Sequence, residues 1–127
     1  MDNHKVIITE SAPAAIGPYS QAVCSGNLVF VSGQLGIDPK SGQLVDGGIK
    51  KQTQQALENV KAILSEAALS MANVVQVQVF LADMKDFSAM NEIYAAYFTQ
   101  PYPARAAIAA AALPKGGLVE IMVTAAK

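Results

Sequence analysis

Two charged residues stand among apolar neighbours. Arg105 is the only arginine of the chain and lies in an alanine-rich stretch, while Glu120 interrupts Leu118-Val119-Glu120-Ile121-Met122-Val123. Arginine presents a planar fork of N–H donors that matches a carboxylate through two parallel hydrogen bonds. Small neighbours such as Ala106 and Ala107 leave room for a ligand beside it. Pattern alone leaves two readings open: a structural ion pair or solvent-edge position, and a site for a small anion. Weaker marks are Gly17-Pro18-Tyr19-Ser20, which sets a tyrosine just after a rigid turn, and Ser32-Gly33 at a strand end. There a hydroxyl and a backbone N–H can face a ligand, although each is also ordinary turn chemistry.

Several chemistries are excluded. His4 is the only histidine, so one subunit holds neither a Ser-His-Asp triad nor a histidine-based metal site. Cys24, the only cysteine, lies in an apolar strand with no histidine to activate it, and no intrachain disulfide can form. No glycine-rich phosphate loop opens a helix, so no cofactor is expected. The formal net charge is −1, and Lys50-Lys51 is the densest basic run, which argues against a nucleic-acid surface. With no apolar leader after Met1 and no apolar stretch of about 20 residues, the sequence reads as cytoplasmic.

The elements that must position these residues fit one domain spanning 1–127. Hydrophobic residues make up 52% and charged residues 15%, against a usual charged share of about 25%. So few charges point to apolar surface covered by an oligomer. Lys5–Ile8 reads as an opening strand. Tyr19–Cys24 and Leu28–Ser32 read as a hairpin turned at Ser25-Gly26-Asn27. Gly33–Gly48, rich in glycine, reads as a loop. Ile49–Ala68 carries apolar residues at 49, 56, 57, 60, 63, 64 and 67, a helical stripe. In Val74–Leu81, Val75, Val77, Val79 and Leu81 alternate with Gln76 and Gln78, which predicts a strand with one apolar face. Asp83 or Asp86 can cap a second helix with the stripe Phe87, Met90, Tyr94, Tyr97 and Phe98, a core face ended by Pro101 and Pro103. Ala104–Leu113 has seven alanines and helical propensity. The bracketing Pro103 and Pro114, with Lys115-Gly116-Gly117 as a turn, favour a strand instead. Val119–Val123 closes the chain as a strand. The order implies an α+β layer with both helices on one face of a mixed β-sheet.

Ordered blocks along the chain resemble a known family. They are Ala14-Ala15-Ile16-Gly17-Pro18-Tyr19-Ser20-Gln21, Val31-Ser32-Gly33-Gln34, the run from Gln54 to Ile63, Asp86-Phe87-Ser88-Ala89-Met90-Asn91, Tyr102-Pro103-Ala104-Arg105, and Leu113-Pro114-Lys115 through Val119-Glu120-Ile121. Together, from about Ile7 to the C-terminus, they resemble the reactive-intermediate (imine/enamine) deaminase family, also called the YjgF/YER057c/UK114 family. The resemblance implies a chorismate-mutase-like fold and a homotrimer with clefts between subunits. It implies hydrolysis of 2-imino or 2-enamino acids to 2-keto acids and ammonia, without cofactor or metal. Arg105 matches the carboxylate-binding arginine and Glu120 the acid that helps hold the attacking water. Tyr19, Ser32, Gly33, Phe87 and Asn91 match cleft-lining positions. Ala107 stands where many members have cysteine, which excludes thiol chemistry at that position, and Ala109 and Ala110 replace bulkier residues. Three rivals remain at this level: a non-catalytic trimer that binds small carboxylates, an endoribonuclease, and a protein-interaction role for the apolar surface.

Overall fold

The hairpin follows from its turn. Gly26 takes φ +60, which a side chain would strain, and joins β2 (Ala22–Ser25) to β3 (Leu28–Leu35). The computed structural model describes residues 4–127. Strand β1 (His4–Ile7) pairs antiparallel with β2. The remaining strands are β4 (Val74–Leu81), β5 (Ala104–Ala109) and β6 (Val119–Ala126), and the sheet order is β1-β2-β3-β6-β4-β5. All neighbours are antiparallel except β4 and β5, so the sheet is mixed.

Helix α1 (Gly48–Glu66) lays its stripe of Ala56, Leu57, Val60, Ile63 and Leu64 across β3 and β6, fully out of water. Helix α2 (Phe87–Ala95) packs against α1 and contributes Met90 and Tyr94 to the same core. Val29, Val31, Val77, Val79, Leu81, Ile121 and Val123 supply the sheet's side of that core. No described helix is long and apolar enough to cross a membrane.

Several local expectations need correction; the strand read over Tyr19–Cys24 begins only at Ala22 and runs to Ser25. Strand β3 runs on through Gly33 and Gln34 to Leu35, so the loop begins later than composition suggested. Pairing with β6 holds those residues in the sheet, with a register shift between Val31 and Gln34. Val75 points outward: the register of β4 against β6 shifts between Val74 and Gln76, burying Val74 and leaving Val75 48% exposed. Helix α1 stops at Glu66, and Ala68 turns into the left-handed region at φ 61. Helix α2 ends at Ala95, well before Pro101, through tightened turns from Ala96 to Ile93 and from Tyr97 to Tyr94. Asp83 caps the short turn that leads into α2, accepting from the Lys85 N–H at 2.8 Å, while the Asp86 side chain caps nothing. Of the alanine-rich segment Ala104–Leu113, Ala104–Ala109 forms the expected strand, which stops short of Leu113. Its backbone pairs in register with Gln76 to Leu81 of β4, and that pairing outweighs alanine's helical propensity.

Candidate functional site

Glu120 is the second residue of β6, opposite Phe80 of β4 and Leu35 of β3. Buried Val119 and Ile121 flank it in the core, so its own side chain leaves the sheet on the face without helices. There it lies against Gly33, where a Cβ would come within 2.6 Å of the Glu120 Oε2. The glycine and the irregular register of β3 thus make the space that the carboxylate occupies. Burial pushes the Glu120 carboxyl above the ordinary carboxylate range, with no neighbouring cation opposing it. Beside it opens a cavity of about 710 Å³ whose walls include Tyr19, Ser32, Gly33, Ile37, Glu120 and Met122.

The walls are tied down by polar groups that the sequence reading passed over. The Ser32 hydroxyl donates to the Ser20 carbonyl at 2.6 Å, and the Ser32 N–H donates to the Gln21 carbonyl at 2.9 Å. The buried Gln21 amide accepts from the Thr9 N–H at 2.8 Å and donates to the carbonyls of Thr9 and Pro13 at 3.0 and 2.8 Å, folding the segment before Tyr19 over the cavity. From α1, Asn59 donates to the Leu35 and Ile37 carbonyls at 3.2 and 2.9 Å, and Gln52 accepts from the Leu118 N–H at 2.9 Å. Both brace the strand ends that flank Glu120. Their signal was legible as polar residues on the buried side of a helix stripe, since buried polar groups need partners.

Arg105 lies elsewhere. On β5 it pairs with Val77, a core residue, whereas Glu120 pairs with Phe80 on the opposite face of the same strand. The two charges therefore leave opposite faces of the sheet, and the intrachain ion-pair reading fails. Among the described residues the only ion pair joins Lys50 to Glu92 at 2.9 Å. The Arg105 Nη1 donates to Asn91 Oδ1 at 2.6 Å, and its guanidinium carbon stands 4.7 Å from the Tyr94 ring centre and 5.6 Å from that of Phe87. Phe87, Asn91 and Tyr94 share one face of α2 through spacings of four and three. Ala107, two residues along β5, points the same way and packs against the core. Tyr94, read from the sequence as core alone, is also part of this cluster.

The structure thus sorts the expected site residues into two halves. Tyr19, Ser32, Gly33 and Glu120 share the cavity; Phe87, Asn91, Arg105 and Ala107 gather at α2 and β5. One half offers a half-buried proton acceptor beside a space for a small molecule, the other a cation with N–H donors facing out. Among the described residues no three His, Cys, Asp or Glu side chains converge to hold a metal ion. Such an arrangement defines an α+β domain carrying two incomplete polar sites.

Comparison with known proteins supplies the class. A family model described as Endoribonuclease L-PSP matches residues 9–127. A RutC family protein of Pyrococcus horikoshii is 54% identical, with 97% of this chain and 98% of that protein covered. A 2-iminobutanoate/2-iminopropanoate deaminase of Capra hircus is 56% identical over 92% of this chain and 85% of its own length. The crystal structure of a putative endoribonuclease from Thermotoga maritima superposes with a TM-score of 0.94 at 48% identity, covering 97% of each chain. The chain belongs to the YjgF/RutC/UK114 family, the reactive-intermediate deaminases that its sequence blocks resemble.

Proposed function

We propose that the chain is a hydrolytic deaminase converting 2-imino and 2-enamino acids to 2-keto acids and ammonia, working as a homotrimer. The observation that carries this reading is the division of the site: a half-buried carboxylate and a cavity on one face, and an outward guanidinium on the other. A second copy can bring its Arg105 half against the Glu120 half of the first, and a cleft between subunits then contains both. The helix-free face leaves Phe30, Met122 and Ile108 exposed, apolar surface suited to cover by a neighbour. Relatives from Capra hircus, Bos taurus, Homo sapiens and Mus musculus at 53–56% identity bear the deaminase name.

In the proposed reaction the Arg105 fork binds the substrate carboxylate and so aims the C=N carbon, exchanging translational freedom for orientation. A water held by Glu120 attacks that carbon; its oxygen bonds to carbon as the C=N π pair moves to nitrogen, and Glu120 takes the water's proton. Glu120 then returns that proton to the amine nitrogen. Ammonia leaves with the C–N pair as the hydroxyl collapses to the carbonyl, the hydroxyl proton passing by way of Glu120 to the departing nitrogen. Burial raises the Glu120 pKa, which makes the carboxylate a stronger proton acceptor than an exposed one. Imines hydrolyse in water unaided, so modest acceleration suffices. RNA hydrolysis, which the family description names, has less support here: the net charge is −1, and His4 is the only histidine.

The test generates 2-iminobutanoate with an amino-acid dehydratase or oxidase while semicarbazide competes for it. Added protein should lower semicarbazone formation, and exhaustive chelation should leave that activity intact. Light scattering should give about three times the 13.3 kDa chain. A monomer would sink the shared cleft, and unchanged semicarbazone would sink the deaminase.

A further inference from the structure

Tyr94 is oddly placed for a residue that only fills the core. It is 6% exposed, its ring stacks on Phe98 with centres 4.5 Å apart, and its hydroxyl makes no hydrogen bond among the described residues. A buried hydroxyl without a partner is costly, and phenylalanine would fill the same space without that cost. What lies against Tyr94 is the Arg105 guanidinium, 4.7 Å from the ring centre. Burial raises the Tyr94 pKa, and the Arg105 charge and N–H donors oppose that rise. The phenol therefore stays protonated at neutral pH, with oxygen lone pairs beside a cation that already gives one N–H to Asn91.

Resting on the deaminase reading and going beyond it, we propose that Tyr94 is a positioning residue for substrate binding: its hydroxyl oxygen is the second acceptor for the Arg105 guanidinium. Asn91 and Tyr94, one turn apart on α2, then hold the fork from the protein side. Its remaining N–H groups face outward for the carboxylate. A small adjustment of the side chain closes the hydrogen bond when the substrate draws the guanidinium into line. This accounts for a hydroxyl kept in the core without a partner, and for an exposed arginine on an edge strand held by Asn91 and two rings of α2.

The test is Tyr94→Phe, which keeps the ring and its packing. KM for 2-iminobutanoate, and the Kd of 2-oxobutanoate by calorimetry, should rise roughly 10- to 150-fold, the span of one hydrogen bond to a charged group. The kcat should stay within about threefold, and Tm should hold or rise because a buried orphan hydroxyl is gone. In an Arg105→Ala background the same substitution should change Kd by less than about twofold, since a residue acting through Arg105 has nothing left to act on. Wild-type affinity in Tyr94→Phe beside a weakened Arg105→Ala overturns this inference and leaves the deaminase reading standing. Wild-type affinity in both variants overturns the two together. An equal loss in both backgrounds also overturns it, because Tyr94 would then act independently of Arg105.

Discussion

The two halves of the site are built on opposite principles. Glu120 sits on an interior strand, with neighbours paired on both sides and side-chain amides from α1 bracing the flanking chain ends. Arg105 sits on the edge strand β5, exposed, held by side chains from a single helix. A carboxylate becomes a useful base near neutrality only when kept from water, which a central strand can do. A guanidinium stays charged almost anywhere, so it can reach from an edge toward a ligand held by another surface. On the proposed mechanism the rigid half carries proton transfer and the reaching half the anchoring.

The largest expected effect comes from the rigid half. Glu120→Gln keeps the shape and removes the proton acceptor, so kcat should fall roughly 10²- to 10⁴-fold with little change in KM. A wild-type rate would reduce Glu120 to a structural role and favour a trimer that only binds carboxylates. The anchoring half should respond differently. Arg105→Lys keeps the charge but loses the fork, so kcat/KM should drop roughly 10- to 150-fold, with Arg105→Ala worse. Neither change should unfold the protein, because among the described residues no carboxylate pairs with Arg105. A marked fall in Tm would return Arg105 to a structural role.

Gly33→Ala tests the packing between bulge and carboxylate. The added Cβ meets the far end of a flexible side chain, so the fold should tolerate it while the carboxylate is pushed aside. Displacing a reacting group by about 1 Å can cost on the order of 100-fold, and a loss of roughly 10- to 100-fold in kcat is expected with Tm nearly unchanged. Full activity would mean that the position of Glu120 against Gly33 is not needed. The smallest effect is on stability. Because burial raises the Glu120 pKa in the folded chain, the native state holds a proton that the unfolded chain releases at lower pH. Stability from this group is therefore present below the ordinary carboxylate range and lost as pH rises through the elevated value. Glu120→Gln does not titrate, so it should melt higher than the wild type at pH 7 to 8, and the gap should close toward pH 4. A gap that is constant across pH would show the carboxyl to be well solvated.

The sequence by itself determined much of this molecule. Periodicity placed α1, β4 and β6, because a stripe at helical spacing or an alternating run is a local property that burial enforces. The lone arginine and the glutamate in an apolar strand stood out as departures from their surroundings, and ordered blocks from Ile7 onward gave the family. Only the tertiary structure decided the rest. The bulge at Ser32-Gly33, the outward turn of Val75 and the early end of α2 depend on registers between distant strands and on turn closure, which no local window contains. The side chains of Arg105 and Glu120 leave opposite faces because β5 joins parallel to β4 while β6 joins antiparallel, each in its own register. Residues 105 and 120 look like a ready pair along the chain. Sheet pairing sets them apart, since the parity of each strand's register fixes which face every side chain takes.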